Sequence, residues 1–122
     1  MNLWITAENL ELKMDVAQDI CEYELFAYID VQIKCDGFYI SEQMKVYADD
    51  IIPFFSEFTD MYTSLKGSTH IEEPYGNQMY IEFVCDKTGH RAIEGSLHKN
   101  SGKNTFITYF TGKVDQSAVN IA

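Results

Sequence analysis

Residues 25–35 constrain the fold more than any other stretch of this chain. The odd positions are Leu25, Ala27, Ile29, Val31, Ile33 and Cys35, all apolar. The even positions include Asp30, Gln32 and Lys34, with Phe26 and Tyr28 nearer the start. Successive side chains of a strand point to opposite faces, so this alternation predicts a long strand with one buried face. Asp36-Gly37 follows, a hairpin-type turn signal. A return strand over about 38–47 sets Ile40, Met44 and Val46 against polar neighbours.

The other segments keep that period, with one exception. Leu3 to Ile5 and Leu10 to Val16 read as short strands. Met79, Ile81, Phe83 and Cys85 alternate with Tyr80, Glu82 and Val84. Residues 86–89 read as a turn, Ala92 to Leu97 as a return strand, residues 100–104 as a second turn and Thr105 to Thr111 as a last strand. The exception lies between Asp49 and Gly67. Ile51, Phe54, Phe55, Phe58, Tyr62 and Leu65 recur at helical spacing, with Glu57, Asp60 and Ser64 on the opposite face. Asp49 suits the N-cap, Pro53 falls in the first turn and Gly67 suits the C-terminal stop. Strands, one helix, then strands predict an α+β fold, mainly an antiparallel β-sheet with one central helix packed on one face. The helix face should rest on Ile29, Val31, Ile33, Ile81 and Phe83. Asp115-Gln116-Ser117 suggests a short C-terminal helical turn.

At 122 residues the chain suits a single domain, residues 1–122, and 46% hydrophobic residues with sixteen Phe and Tyr supply a core. Charge is uneven. Residues 1–84 hold sixteen of the nineteen acidic residues against four lysines, a net −12, whereas residues 85–122 hold five basic and three acidic residues, a net +2. The total of −10 repels nucleic acid and anionic membranes and favours cationic partners. The first ten residues lack a basic n-region followed by an apolar run, and no stretch approaches a membrane span. With three cysteines and no secretory signal, reduced thiols in the cytoplasm are expected.

No catalytic, metal-binding or cofactor-binding residues emerge. His70, His90 and His98 include no pair at the i, i+4 spacing of metal ligands, and Cys-x-x-Cys does not occur. His90 and His98 could converge in space, but histidines near turns are the simpler reading. Cys35 and Cys85 fall on apolar strand faces as small hydrophobes. Cys21 lies among Asp19, Glu22 and Glu24, whose charges oppose thiolate formation. Adjacent carboxylates such as Asp49/Asp50 and Glu72/Glu73 arise readily in so acidic a chain. Trp4, Tyr23, Phe26, Tyr28, Tyr39 and Tyr47 should lie largely on the sheet face opposite the helix, either as a second packing layer or as a surface for protein binding.

Asp86-Lys87-Thr88-Gly89-His90 leads into Ile93-Glu94-Gly95-Ser96-Leu97, then Asn104 to Phe110 and Asp115-Gln116-Ser117. With Gly37-Phe38-Tyr39 and the helix over 50–65, this pattern resembles the WapI-type immunity proteins of bacterial polymorphic toxin systems over roughly residues 25–119. The resemblance implies a small cytoplasmic α+β domain that binds and neutralises a cognate toxin, commonly of nuclease type. It implies no catalytic residue, and Gly89, His90, Asp115 and Gln116 would be fold-defining. The chain departs from the pattern after Asp115, where only Ala118, Val119 and Ile121 are apolar in place of a longer helix.

The expectation is therefore a non-enzymatic protein, without cofactor, whose partner is a basic toxin domain. The acidic residues Asp49, Asp50, Glu57, Asp60, Glu72 and Glu73 are the expected partner-binding set. The alternative is a small structural domain, a homodimer paired through strand edges or the aromatic face.

Overall fold

The computed structural model describes residues 1–7, 9–16, 24–75, 79–86, 88, 90–113 and 118–121. Cys21, Tyr23, Gly89, Asp115, Gln116 and Ser117 lie outside the described residues.

The first four strands are β1 (Asn2–Ala7), β2 (Leu10–Val16), β3 (Phe26–Cys35) and β4 (Phe38–Tyr47). The β3–β4 hairpin turns on Asp36 and Gly37, with φ of 46° and 85°. A two-residue turn with both φ positive matches the right-handed twist of its strands, and Asp-Gly is among the pairs that adopt it most readily. Leu12 faces Ile33, Met14 faces Val31 and Ile29 faces Met44, so the odd positions of β3 lie in one apolar layer. A 3₁₀ turn (Ala48–Asp50) and helix α1 (Ile51–Ser64) follow. Strands β5 (Gly67–Glu72), β6 (Tyr80–Cys85), β7 (Arg91–Ser101) and β8 (Asn104–Lys113) come next, and β9 (Ala118–Ile121) is last.

The expected α+β class and antiparallel pairing hold, but the strands form two sheets rather than one. The first has five strands in the order β4-β3-β2-β1-β9 and the second four in the order β5-β6-β7-β8. Alternation tells each strand which face to bury and leaves open which strand it pairs with. The helix carries the chain from the edge strand β4 of one sheet to the edge strand β5 of the other. Ile29, Val31 and Ile33 from the first sheet, Ile81, Phe83 and Ile93 from the second, and the helix share one buried core. Phe83 is the meeting point on the second sheet, 4.7 Å from the Phe58 ring and 6.1 Å from that of Phe54.

The C-terminal helical turn expected after Asp115 is corrected over residues 118–121, while Asp115-Gln116-Ser117 lie outside the described residues. Residues 118–121 form β9, antiparallel to β1 with Val119 opposite Ile5 and Ile121 opposite Leu3. So short a helix does not repay its nucleation cost, whereas the edge of β1 offers hydrogen bonds to alternate residues of an added strand.

The helix itself differs at its ends. Its buried stripe is Ile51, Phe54, Phe55, Phe58 and Met61, while Tyr62 is half-buried and Leu65 is 46% exposed. Asp50, not Asp49, is the N-cap, and its side chain makes no capping bond because the 3₁₀ turn leads straight in. The stop is Leu65, left-handed at φ 59°, whose N–H donates to the Met61 carbonyl. Residues 67–72, unassigned in the sequence reading, form β5 beside β6.

Candidate protein-binding surface

Helix α1 buries its apolar stripe and thereby turns Glu57 and Asp60 outward. Strand β5 runs back alongside it. The buried Thr69 hydroxyl lies 3.1 Å from Glu57 Oε2 and 3.4 Å from the Phe54 carbonyl oxygen, tying helix to strand. Beyond Thr69, Glu57, Asp60 and Asp86 border an open groove of about 660 Å³. Met61 and Cys85, both buried, contribute its apolar part, and among the described residues Lys66 is the lysine that lines it.

Asp86 entered the sequence reading only as a turn residue. It accepts hydrogen bonds from the Thr88 hydroxyl at 2.7 Å, the Thr88 N–H at 2.8 Å and the His90 N–H at 3.0 Å. These bonds, that from the Thr88 side chain first, hold its carboxyl below the usual range, so it stays anionic. His90 Nδ1 closes the same turn 2.7 Å from Thr88 Oγ1. His98 lies eight residues further along β7, and an extended chain of that length separates the two histidines by roughly 25 Å. They do not converge.

The other expected partner-binding residues fall into two further places. Asp49 and Asp50 are exposed at the start of the helix. The Glu73-Pro74-Tyr75 turn lies alongside them, because the Tyr75 ring packs 6.0 Å from Tyr47 and 6.4 Å from Phe26. Glu72, by contrast, points to the outer face of the second sheet. There its Oε2 lies 3.1 Å from His70 Nε2, while Glu82 Oε2 lies 3.5 Å from His70 Nδ1. His70 stacks on Tyr80 at 5.7 Å, and the Tyr80 hydroxyl donates to Glu94 Oε1 at 2.9 Å. That bond pushes the Tyr80 phenol up to about 12, with desolvation next. Glu82 sits directly across from Glu94 in the β6–β7 register. Glu82 and Glu94 were missed as surface carboxylates of one cluster. The signal was available in principle: alternation puts both on the outer face, but only the strand pairing sets them side by side.

Arg91 stacks 4.1 Å over the ring of Tyr62 on the helix, and other cations lie on the first sheet. Of the four lysines in residues 1–84, three stand on the outer face of the first sheet, each over an aromatic ring. Lys13 lies 4.7 Å from Trp4, Lys34 5.6 Å from Tyr39 and Lys45 4.1 Å from Phe26. Trp4, Tyr28 and Tyr39 are exposed there, so the aromatic face away from the helix exists as expected.

Compared with known proteins, the chain matches no family model, no curated protein and no solved structure. Among the described residues, no group of three or more His, Cys, Asp or Glu side chains is placed to hold a metal ion, and no helix is long and apolar enough to cross a membrane. Cys35 and Cys85 are free thiols, the first half-buried and the second buried. The groove could take a Lys or Arg side chain, with its stem along the apolar lining and its charged head at a carboxylate of the rim.

Proposed function

We propose that this chain is a non-enzymatic, cytoplasmic immunity protein that binds a basic toxin domain, of nuclease type, and occludes its active site. The observation that carries the reading is the groove: Glu57, Asp60 and Asp86 around an apolar floor, on a molecule of net charge −10. A nuclease needs a cationic path for its substrate, and an acidic surface complements that path in charge and speeds encounter. The resemblance to WapI-type immunity proteins supports the same reading from the sequence. Asp49, Asp50 and Glu73 extend the acidic surface beyond the groove, and Glu72 continues it onto the second sheet.

The reading requires a large exported protein with a variable C-terminal domain encoded beside this chain, and that domain, once found, is the toxin used in the test. Binding and protection of toxin-expressing cells are measured for the natural chain and for the double variant Glu57→Lys, Asp60→Lys. The expected result is tight binding whose association rate falls as salt is raised, and loss of both binding and protection in the folded variant. Undiminished protection by the variant would move the interface away from the helix, and failure of the natural chain to bind would end the toxin reading. A second reading, a small homodimeric domain without catalytic activity, is favoured by the open edge of β8.

A further inference from the structure

Strand β8 ends the second sheet, and among the described residues no strand pairs with its far side. It is ten residues long, about 33 Å of unpaired N–H and C=O groups. Proteins protect such edges with short strands, proline, bulges or charged side chains. From Asn104 to Gly112 β8 has no proline and no charge. Phe106, Ile107 and Tyr109 are 60%, 64% and 61% exposed on it. The other edges differ. Strand β5 is six residues long and packs beside α1, and β4 carries Glu42 and Lys45.

The sequence of β8 says what would cover it. Thr105-Phe106-Ile107-Thr108-Tyr109-Phe110-Thr111 reads nearly the same in both directions about Thr108. An antiparallel strand that meets its own copy across a two-fold axis sees its sequence reversed, so such symmetry is what self-pairing requires. We propose that β8 is a self-pairing edge: two copies of this chain join antiparallel through it, with the two-fold axis at Thr108, into one eight-stranded sheet. In that register Phe106 meets the partner's Phe110, Ile107 the partner's Tyr109, Thr105 the partner's Thr111, and Thr108 its own counterpart. Directly opposite residues share a face. Phe106 and Phe110 are both on the core side, because they lie in register with Lys99 and Gly95 on the face of Ile93 and Leu97. Ile107 and Tyr109 are both on the outer side. Aromatic pairs, aromatic with β-branched pairs and Thr–Thr pairs are the favourable cross-strand combinations. Phe110 already packs against the core, so the pairing draws the exposed Phe106 to the margin of the partner's core. The paired stretch forms about eight to ten main-chain hydrogen bonds.

Electrostatics opposes this association. Each copy carries −10, and Lys103 and Lys113, just outside the neutral stretch, face each other at its two ends. Salt screens both repulsions, so the dimer strengthens as salt rises, opposite to a complex with a basic partner. The inference does not depend on the toxin-binding reading.

Sedimentation of the full chain over a wide range of concentration tests it, with Ile107→Lys and Thr108→Cys as variants. The expected result is a mass rising from one chain to two, at lower concentration when salt is added. Ile107→Lys should weaken the dimer about tenfold or more, because the two-fold axis repeats each lost contact. Register is read independently by mild oxidation. Thr108→Cys places two thiols face to face and should give a covalent dimer, whereas Thr105→Cys leaves them roughly 20 Å apart and should not exceed the natural chain. A single-chain mass at every concentration, or cross-linking at position 105 equal to that at 108, overturns the proposal. So does a dimer that Ile107→Lys leaves intact.

Discussion

A Cβ built at Gly95 would stand 2.4 Å from Phe110 Cζ and 2.6 Å from the Tyr80 carbonyl oxygen. The ring could swing aside, but the carbonyl is held by the sheet, so the backbone would have to move. Gly95→Ala should therefore lower stability by about 1–3 kcal/mol in denaturant unfolding, an overpacking cost at a buried site. Phe58 makes the complementary case. It is buried against Phe83, and Phe58→Ala should cost about 3–5 kcal/mol by the same measurement; a change under about 1 kcal/mol would refute its place in the core. Tyr80 carries a pH signature. The Glu94 hydrogen bond pushes its pKa up to about 12 from the ordinary tyrosine value of about 10, so its contribution to stability is complete below pH 10 and is lost as the pH rises toward 12. Tyr47 and Tyr109 are also raised, so ultraviolet titration of the folded protein should show several late-ionising tyrosines, and Tyr80→Phe should remove one of them. None of these residues advertised its role by type alone. Gly95 read as a bulge or a close approach, and the approach proves to be to Phe110 and Tyr80 on the flanking strands.

At the scale of elements, local chemistry was the more legible. The Asp36-Gly37 turn joins the strands expected on either side of it, and the alternation on β3 matches its buried and exposed positions. Gly37 has φ 85° with nothing within 4 Å of a built Cβ, so Gly37→Ala isolates the backbone cost. It should destabilise by about 1 kcal/mol, seen as a lower thermal midpoint with unchanged spectra. The helix was legible in its middle and not at its ends. Gly67 looked like the stop, yet Leu65 takes the left-handed position and Gly67 opens β5. The reason is tertiary: the chain must reverse early enough for Thr69 to reach Phe54 and Glu57. Strand β5 escaped because its buried positions are Thr69 and Ile71, too short an apolar pattern to separate from a loop.

At the scale of the whole molecule, an ion pair among the described residues joins the two sheets. Glu42 points inward from β4, opposite Val31, and its Oε1 lies 3.3 Å from Lys99 Nζ on β7. The contact is electrostatic, its geometry falling outside that of a hydrogen bond. Losing one partner of such a pair costs more than replacing both. The Lys99 side chain is 59% exposed, so Lys99→Met should destabilise by only about 0–1 kcal/mol, and adding Glu42→Met should recover most of that loss in chemical denaturation. Alternation within β4 puts Glu42 on the same face as Ile40, Met44 and Val46, but it cannot say that Lys99 of a distant strand meets it. The sequence by itself determined which face each long strand buries, that one helix interrupts the strands, and that the body is acidic. Those are local or additive properties, set by side-chain period and by charge count. Only the tertiary structure decided that there are two sheets, that residues 118–121 join β1 as a strand, that Asp86 stands with Glu57 and Asp60, and that β8 is left as an edge. Each of these depends on which distant segments meet, and hydrophobic periodicity is the same for every partner a strand could choose.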